Sequence, residues 1–189
     1  TAVSAVKACI KKTGYLYADT HSTQPVKLDA YNGKKAEFII SGDKLFVKSF
    51  DDSNDTFSLF RHTVTNGVVS AAEMLDTGIK ACNIIGTDVW YRRSVTGSSL
   101  CDLYKYSAEK EKIDGDVASF AELPDGSVLI VKNFVSSADG EIADLYLYDG
   151  KKTSPVAEKA ELKNMKYSDK GISFIRSGGD LCIYSKNKL

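Results

Sequence analysis

Four cations recur at one position of a repeated pattern: Lys48, Arg92, Lys132 and Arg176 each follow a short apolar run. Three acids, Asp102, Asp144 and Asp180, open the apolar run that comes next, whereas the run after Lys48 begins at Thr56 and leaves that lysine without the repeated partner. Cations gathered at one end of neighbouring strands would make a positive rim able to hold a carboxylate or a sulfated glycan. The competing arrangement is pairing between cation and acid within each hairpin. Ladder geometry favours it, it neutralises the rim, and exposed pairs of this kind contribute only ~0 to 1 kcal/mol.

Between the two runs lie the longest and most variable connections, "DDSND" (51 to 55), "VTGSS" (95 to 99) and "VSSADGEIA" (135 to 143). Loops carried on a rigid scaffold tolerate change and present side chains to partners. The candidate binding residues are therefore Asp51, Asp52, Asp55, Asp139 and Glu141 in the loops, with Lys48, Arg92, Lys132 and Arg176 at the strand ends. Asp51, Ser53 and Asp55 alternate as oxygen ligands might, but a calcium loop needs glycine at its sixth position and a bidentate glutamate at its twelfth, and both are missing here. A turn closed by side-chain to backbone hydrogen bonds is the simpler expectation.

Catalytic patterns are absent: there is no GxSxG, HExxH, GxxxxGK[ST] or GxGxxG. His21 and His62 fall in unrelated repeats, and His62, beside Arg61, is expected at a surface or sheet edge. Among 25 acids no carboxylate pair stands out for glycoside hydrolysis, whose requirement is spatial. Trp90 and Tyr91 could stack on a sugar if exposed, but their strand is apolar on both sides and places them in the core. Cys9, Cys82, Cys101 and Cys182 are widely spaced with no CxxC pair, so they are expected as buried thiols, with no metal and no cofactor.

The 25 basic and 25 acidic residues cancel, so no global field favours nucleic acid or an anionic bilayer. No apolar run approaches the roughly 18 residues of a spanning helix, so membrane insertion by this segment is not expected. With 189 residues, 43% of them hydrophobic, the chain can bury a sizeable core as one domain. A first residue other than methionine suggests that a leader, anchor or further domain was removed.

The elements that must position these residues emerge from self-similarity. "DLYLYDGKK" at 144 has relatives in "DLYKYSAEK" at 102 and "DLCIYSKNK" at 180, and "TFSLFRHT" at 56 keeps the same alternation. Each follows a B run: "KLFVKSF" from 44, "DVWYRRS" from 88, "SVLIVKNF" from 127 and "GISFIRS" from 171. Upstream of each B run lies an A run: "AEFIIS" at 36, "ACNIIG" at 81, "ASFAELP" at 118 and "LKNMKYS" at 162. A more polar D run follows the quoted C run at 67, 109 and 152.

Four strands in about 38 to 44 residues is the content of a propeller blade. In "DLYLY" successive side chains point to opposite faces, leucines one way and tyrosines the other, so neither face is built for water. Inner strands of a blade are covered on both faces by neighbouring blades, and the charged D run suits the outer edge. A β-sandwich, the alternative, would show cleaner apolar and polar alternation. The expectation is an all-β, propeller-like array of four-stranded antiparallel blades, four or five in number. Its units are 1–35 (partial), 36–79, 80–117, 118–161 and 162–189 (partial). "TGYLYADTHSTQPVKLDA" (13 to 30) aligns with "DLYLYDGKKTSPVAEKA" as strands C and D, preceded by "VSAVKACI", a strand or a short helix.

"GDVASFAELPDGSVLIVKNF" followed by "ADLYLYDGKK" resembles the repeats of TolB-like propeller domains in surface and membrane-anchored proteins of Gram-positive bacteria. The resemblance covers most of the chain from Gly14 onward and implies an extracellular or cell-surface location. The repeat and the absence of a catalytic pattern point to a non-catalytic binding module or scaffold that offers a loop rim to a protein or glycan partner. The other functions open at this point are a hydrolase of carbohydrate or peptide with a central pocket, and a sensor or spacer domain of a membrane-anchored protein.

Overall fold

A computed structural model describes residues 7–10, 16–19, 26–28, 31, 35–51, 53, 55–66, 68–138, 140–168, 171–176 and 178–185. The chain divides into two compact units, Thr1–Thr87 and Asp88–Leu189. The fold is all-β and antiparallel, with no α-helix among the described residues.

In the first unit, β1 (Lys7–Ile10), β2 (Leu16–Asp19) and β3 (Val26–Lys27) form a small sheet in that order. Of the two readings open for the first segment, the structure has the strand. The next four strands, β4 (Ala36–Ser41), β5 (Lys44–Phe50), β6 (Phe57–Thr65) and the two-residue β7 (Val68–Val69), lead into β8 (Glu73–Ile85). Within this unit the order is β8-β6-β5-β4, with β7 beside the end of β6. The first A and B runs coincide with β4 and β5.

The second unit holds β9 (Asp88–Ser94), β10 (Cys101–Tyr106) and β11 (Lys110–Asp114), ordered β11-β10-β9. Six more strands follow as one meander: β12 (Val117–Glu122), β13 (Val128–Ser137), β14 (Gly140–Tyr148), β15 (Thr153–Ser168), β16 (Gly171–Arg176) and β17 (Leu181–Tyr184).

The sequence predicts separate D and A strands, and here the structure differs. β15 runs unbroken through a D run and the following A run, and β8 joins the end of the D run at 67 to the A run at 81. No proline and no glycine pair interrupts residues 156–168, so nothing stops the extended backbone. The strand instead changes partner. Its first part pairs with β14, from Tyr148↔Thr153 to Ile142↔Glu161. Its second part pairs with β16, from Ala160↔Arg176 to Ser168↔Gly171. The switch uses an irregularity between Glu161 and Lys166 and a left-handed residue, Lys159 at φ 52°. Between β11 and β12, Gly115 and the left-handed Asp116 at φ 58° do break the chain into two strands.

This partner switch folds the six-stranded sheet over on itself. One small cavity is lined both by Leu123 and Ser127 of the β12–β13 turn and by Gly171, Ile172 and Tyr184 of β16 and β17. Gly171 has φ 139°, and a Cβ there would collide with the carbonyl oxygen of Tyr184, so only glycine lets the two strands close.

Opposed residues in a ladder share a face. Leu129↔Leu147 and Val131↔Leu145 make one face of the β13–β14 hairpin, and it packs into a core with Ile172 and Phe174 of β16. Val128↔Tyr148 and Ile130↔Tyr146 make the other, where Tyr148 meets Trp90 of β9 edge-on at 5.5 Å between ring centroids. Leu145 is wholly buried, Tyr148 is 6% exposed, and Tyr146 is half-buried. Both faces of the hairpin are therefore covered over 128–131 and 145–148, while its far end, with Phe134 and Val135, is exposed. In the first unit β5 repeats the pattern: Leu45 and Val47 join a core with Leu28, Tyr31 and Ala36, while Phe46 is just as buried on the opposite face.

Deleting one of these inward side chains removes apolar burial and leaves a void, so Leu145→Ala is expected to lower stability by about 2–5 kcal/mol. Val68→Ala, at a residue 69% exposed, should stay within about 0.5 kcal/mol. Urea unfolding midpoints of the two variants check both.

Candidate functional site

The recurring cations do not form an open rim. Lys48 stands directly opposite Glu37 on β4, and its Nζ lies 3.6 Å from that carboxylate and 5.5 Å from the Phe57 ring centroid. The lysine expected to lack a partner has one from the A strand. Lys132 is opposite Asp144 in the β13–β14 register, yet its ammonium reaches Asp114 at 3.0 Å, both side chains being only 19% exposed. The Arg92 guanidinium donates to the Ala118 carbonyl and so ties β9 to β12. Arg176 is exposed and lines a shallow groove with residues 155–159 of β15.

For Arg92 and Lys132 the expected hairpin pairs are thus replaced by contacts to neighbouring strands: Arg92 stands opposite Leu103 in a regular ladder, and at Lys132 the register is irregular. Between Lys132 and Val135 the ladder slips, with Asn133 left-handed at φ 49°. That turns Lys132 over the Tyr146 ring, 5.3 Å from its centroid, and toward Asp114. Asp144, released from it, accepts from Asn133 Nδ2 at 2.7 Å and from the Lys159 N–H at 2.9 Å. Asp102 accepts from Lys112 at 2.8 Å, and that contact pushes the Lys112 ammonium pKa up.

The candidate loop residues separate as well. Glu141 lines a groove with Glu161, Lys163 and Asn164, and Asp51 stands in a different one in the first unit. Asp55 belongs to the Asp51 hairpin, where its N–H donates to Ser53 Oγ at 3.2 Å. Asp52 and Asp139 lie outside the described residues.

The groove at Asp51 has the most varied chemistry. It holds about 490 Å³ and is lined by Phe50, Phe57 and Phe60 together with Ser49, Thr56, Ser58, Thr77 and Gly78. The Phe50 and Phe57 rings lie 5.5 Å apart at 53°, and the Lys35 ammonium sits 4.6 Å from the Phe50 centroid. Asp51 accepts from Thr56 Oγ1 and, at 2.8 Å, from Ser53 Oγ. Those hydroxyls hold its carboxyl below the usual carboxylate range, Thr56 contributing most. The groove therefore presents a fixed anion beside an aromatic wall and several hydroxyls. Such a set can hold a hydroxyl-rich or cationic ligand, and the volume lies in the range of small-ligand sites.

A second constellation escaped the sequence reading. His62 is buried, 3% exposed, where a surface or edge position is expected from its neighbours. Its Nδ1 lies 2.9 Å from the Ser70 carbonyl and its Nε2 2.8 Å from the Tyr31 hydroxyl. A carbonyl only accepts, so Nδ1 carries the proton; in the neutral ring Nε2 then accepts from the Tyr31 O–H. Burial pushes the Tyr31 phenol's pKa well up, which keeps it a donor. The signal for this site was parity: Phe60, His62 and Val64 alternate in step with Leu45 and Val47 across the ladder. His21 lies outside the described residues.

Trp90 and Tyr91 are buried, as their two-sided apolar strand predicts. Cys82, Cys101 and Cys182 are free thiols, Cys101 buried and the others half-buried, and burial raises Cys82 to about 11. Among the described residues no group of three or more His, Cys, Asp or Glu side chains is placed to share a metal, and no helix is long and apolar enough to cross a membrane. No protein-family model matches the sequence, and no curated protein matches it either.

Two substitutions probe this chemistry. A carboxyl whose folded pKa is depressed contributes stability above its unfolded pKa and loses it as pH falls through the folded value. Thr56→Val removes the leading donor, so the Asp51 pKa should rise toward the ordinary value, as read by a carboxyl carbon NMR titration. Tyr31→Phe keeps the ring but orphans His62 Nε2, and should cost about 1–3 kcal/mol in urea unfolding.

Proposed function

We propose that the chain is a scaffold of stacked, propeller-type blades, carried outside the cytoplasm, that binds a glycan at the groove beside the β5–β6 hairpin and performs no reaction on it. The observation that carries the reading is the β13–β14 hairpin, covered by β16 on its leucine face and met by Trp90 on its tyrosine face. A two-layer sandwich covers one face of each sheet and leaves the other to water. Stacking on both faces is the packing of blades, with β15 serving as the outer strand of one blade and the inner strand of the next.

The groove supplies the binding chemistry. An ionised Asp51 is a strong acceptor for sugar hydroxyls, the Ser and Thr hydroxyls both donate and accept, and Phe50 offers a surface to the apolar side of a sugar ring. Elsewhere the charged groups are engaged within the fold, Lys132 with Asp114 and Lys48 with Glu37, which suits a framework more than a reacting centre.

The test is an array of bacterial cell-wall and animal-cell glycans probed with the protein and with Asp51→Asn. Loss of a charged acceptor should weaken binding about tenfold or more while the protein stays folded at the temperature of the assay, even though the lost charge lowers its unfolding temperature slightly. Equal binding by the variant would remove the groove from the reading, and release of reducing ends from a bound glycan would replace the scaffold with a hydrolase.

A further inference from the structure

The groove beside the β5–β6 hairpin holds a carboxylate with no cation in ion-pair reach among the described residues. In the same unit Glu37 is matched by Lys48 at 3.6 Å and Glu73 by Arg61 at 2.7 Å. Asp51 is held by neutral donors instead: Ser53 Oγ donates to its Oδ1 at 2.8 Å and Thr56 Oγ1 to its Oδ2. A carboxylate has about four acceptor sites, so about two stay open after these side-chain bonds. The charge is fixed in place and unneutralised.

The lining carries the same preference. Phe50, Phe57 and Phe60 are aromatic, and the face of an aromatic ring attracts a cation. The Phe50 ring already shows this, with the Lys35 ammonium 4.6 Å from its centroid; that lysine is exposed and does not line the groove. The polar part of the lining gathers at a slip in the β6–β8 ladder. Phe57↔Ile79 and Leu59↔Asp76 bracket one residue on β6, Ser58, against two on β8, Thr77 and the left-handed Gly78 at φ 67°. A bulge of this kind takes backbone groups out of the ladder and leaves them to other partners, such as the hydroxyls of a sugar ring.

We infer that the groove selects a glycan bearing a free amine, with the sugar's ammonium group against Asp51, over neutral and N-acylated sugars. The inference rests on the reading of this groove as a glycan site and names the class of glycan. An ammonium brings one positive charge and three N–H donors, whereas acylation removes the charge and leaves one donor. Hydrogen bonds between ionised partners are about twice as strong as neutral ones. A sulfated or uronic sugar would meet the like charge of Asp51.

Titration calorimetry with a glucosamine oligomer and an N-acetylglucosamine oligomer of equal length tests this, at about pH 6, where amines are charged and carboxylates ionised. The amine-bearing oligomer should bind about tenfold or more tightly than its acetylated match. Asp51→Asn should bring the two within about twofold of each other. Glu109→Gln, which removes the same charge from an exposed bend of the second unit, should keep the preference. Equal binding of the two oligomers to the unaltered protein would overturn the inference and leave the glycan reading standing. A preference that survives Asp51→Asn, or that falls as far in Glu109→Gln, would overturn it too, as the mark of general charge attraction. Binding of neither oligomer would also overturn it, and binding of no glycan on the array besides would take the glycan reading with it.

Discussion

The burial of residues 128–131 of β13 and 145–148 of β14 on both faces constrains everything around them. A strand whose neighbours in sequence point to opposite sides can be apolar throughout only when matter covers it above and below. Val128, Leu129, Ile130 and Val131 are four consecutive residues, all nearly inaccessible to water, and they leave two separate surfaces to be filled. Ile172 and Phe174 fill one, and the indole of Trp90 packs over the other. The bend of β15 and the glycine at 171 follow from the first demand, because β16 reaches the leucine face only if the sheet folds back and the strands close tightly.

The same demand explains the fate of the cations. A lysine or arginine that ends a dry strand cannot stay solvated without snorkelling, and the nearest compensation is whatever acid or carbonyl the covering layer brings. Lys132 finds Asp114 at the end of β11, and Arg92 finds the Ala118 carbonyl on β12. Both contacts cross from one sheet of the second unit to the other. The charges are thus part of how the layers register, and the opposed hairpin acids are left to other donors, as Asp144 is to Asn133 and Lys159.

What could be read in the sequence was local, and what could not was relational. The strands at 36–41 and 44–50 were legible because glycine and aspartate punctuate a clear apolar alternation, and "DLYLY" announced its two covered faces by composition alone. The fusion of D and A runs was not legible, since it depends on a left-handed lysine at 159, a conformation its residue type does not advertise. Ion partners were missed for a similar reason: Lys132 was matched to its directly opposed acid, and a one-residue slip redirected it. His62 was misplaced because its polarity outweighed its parity. In the candidate groove Asp51 was found by loop position, but the aromatic wall of Phe50 and Phe57 belongs to strands and was read only as core.

With the faces of β5 and of the covered parts of β13 and β14 consumed by packing, the side-chain groups left open are those of the turns. A turn such as 51–56 fixes side-chain acceptors, because Ser53 and Thr56 lock the Asp51 carboxylate and the ordering cost is met in folding before any ligand arrives. Strands apolar on two sides therefore leave their fixed polar groups at the turns that close the hairpins, because along the covered strands the side chains of both faces are spent on packing.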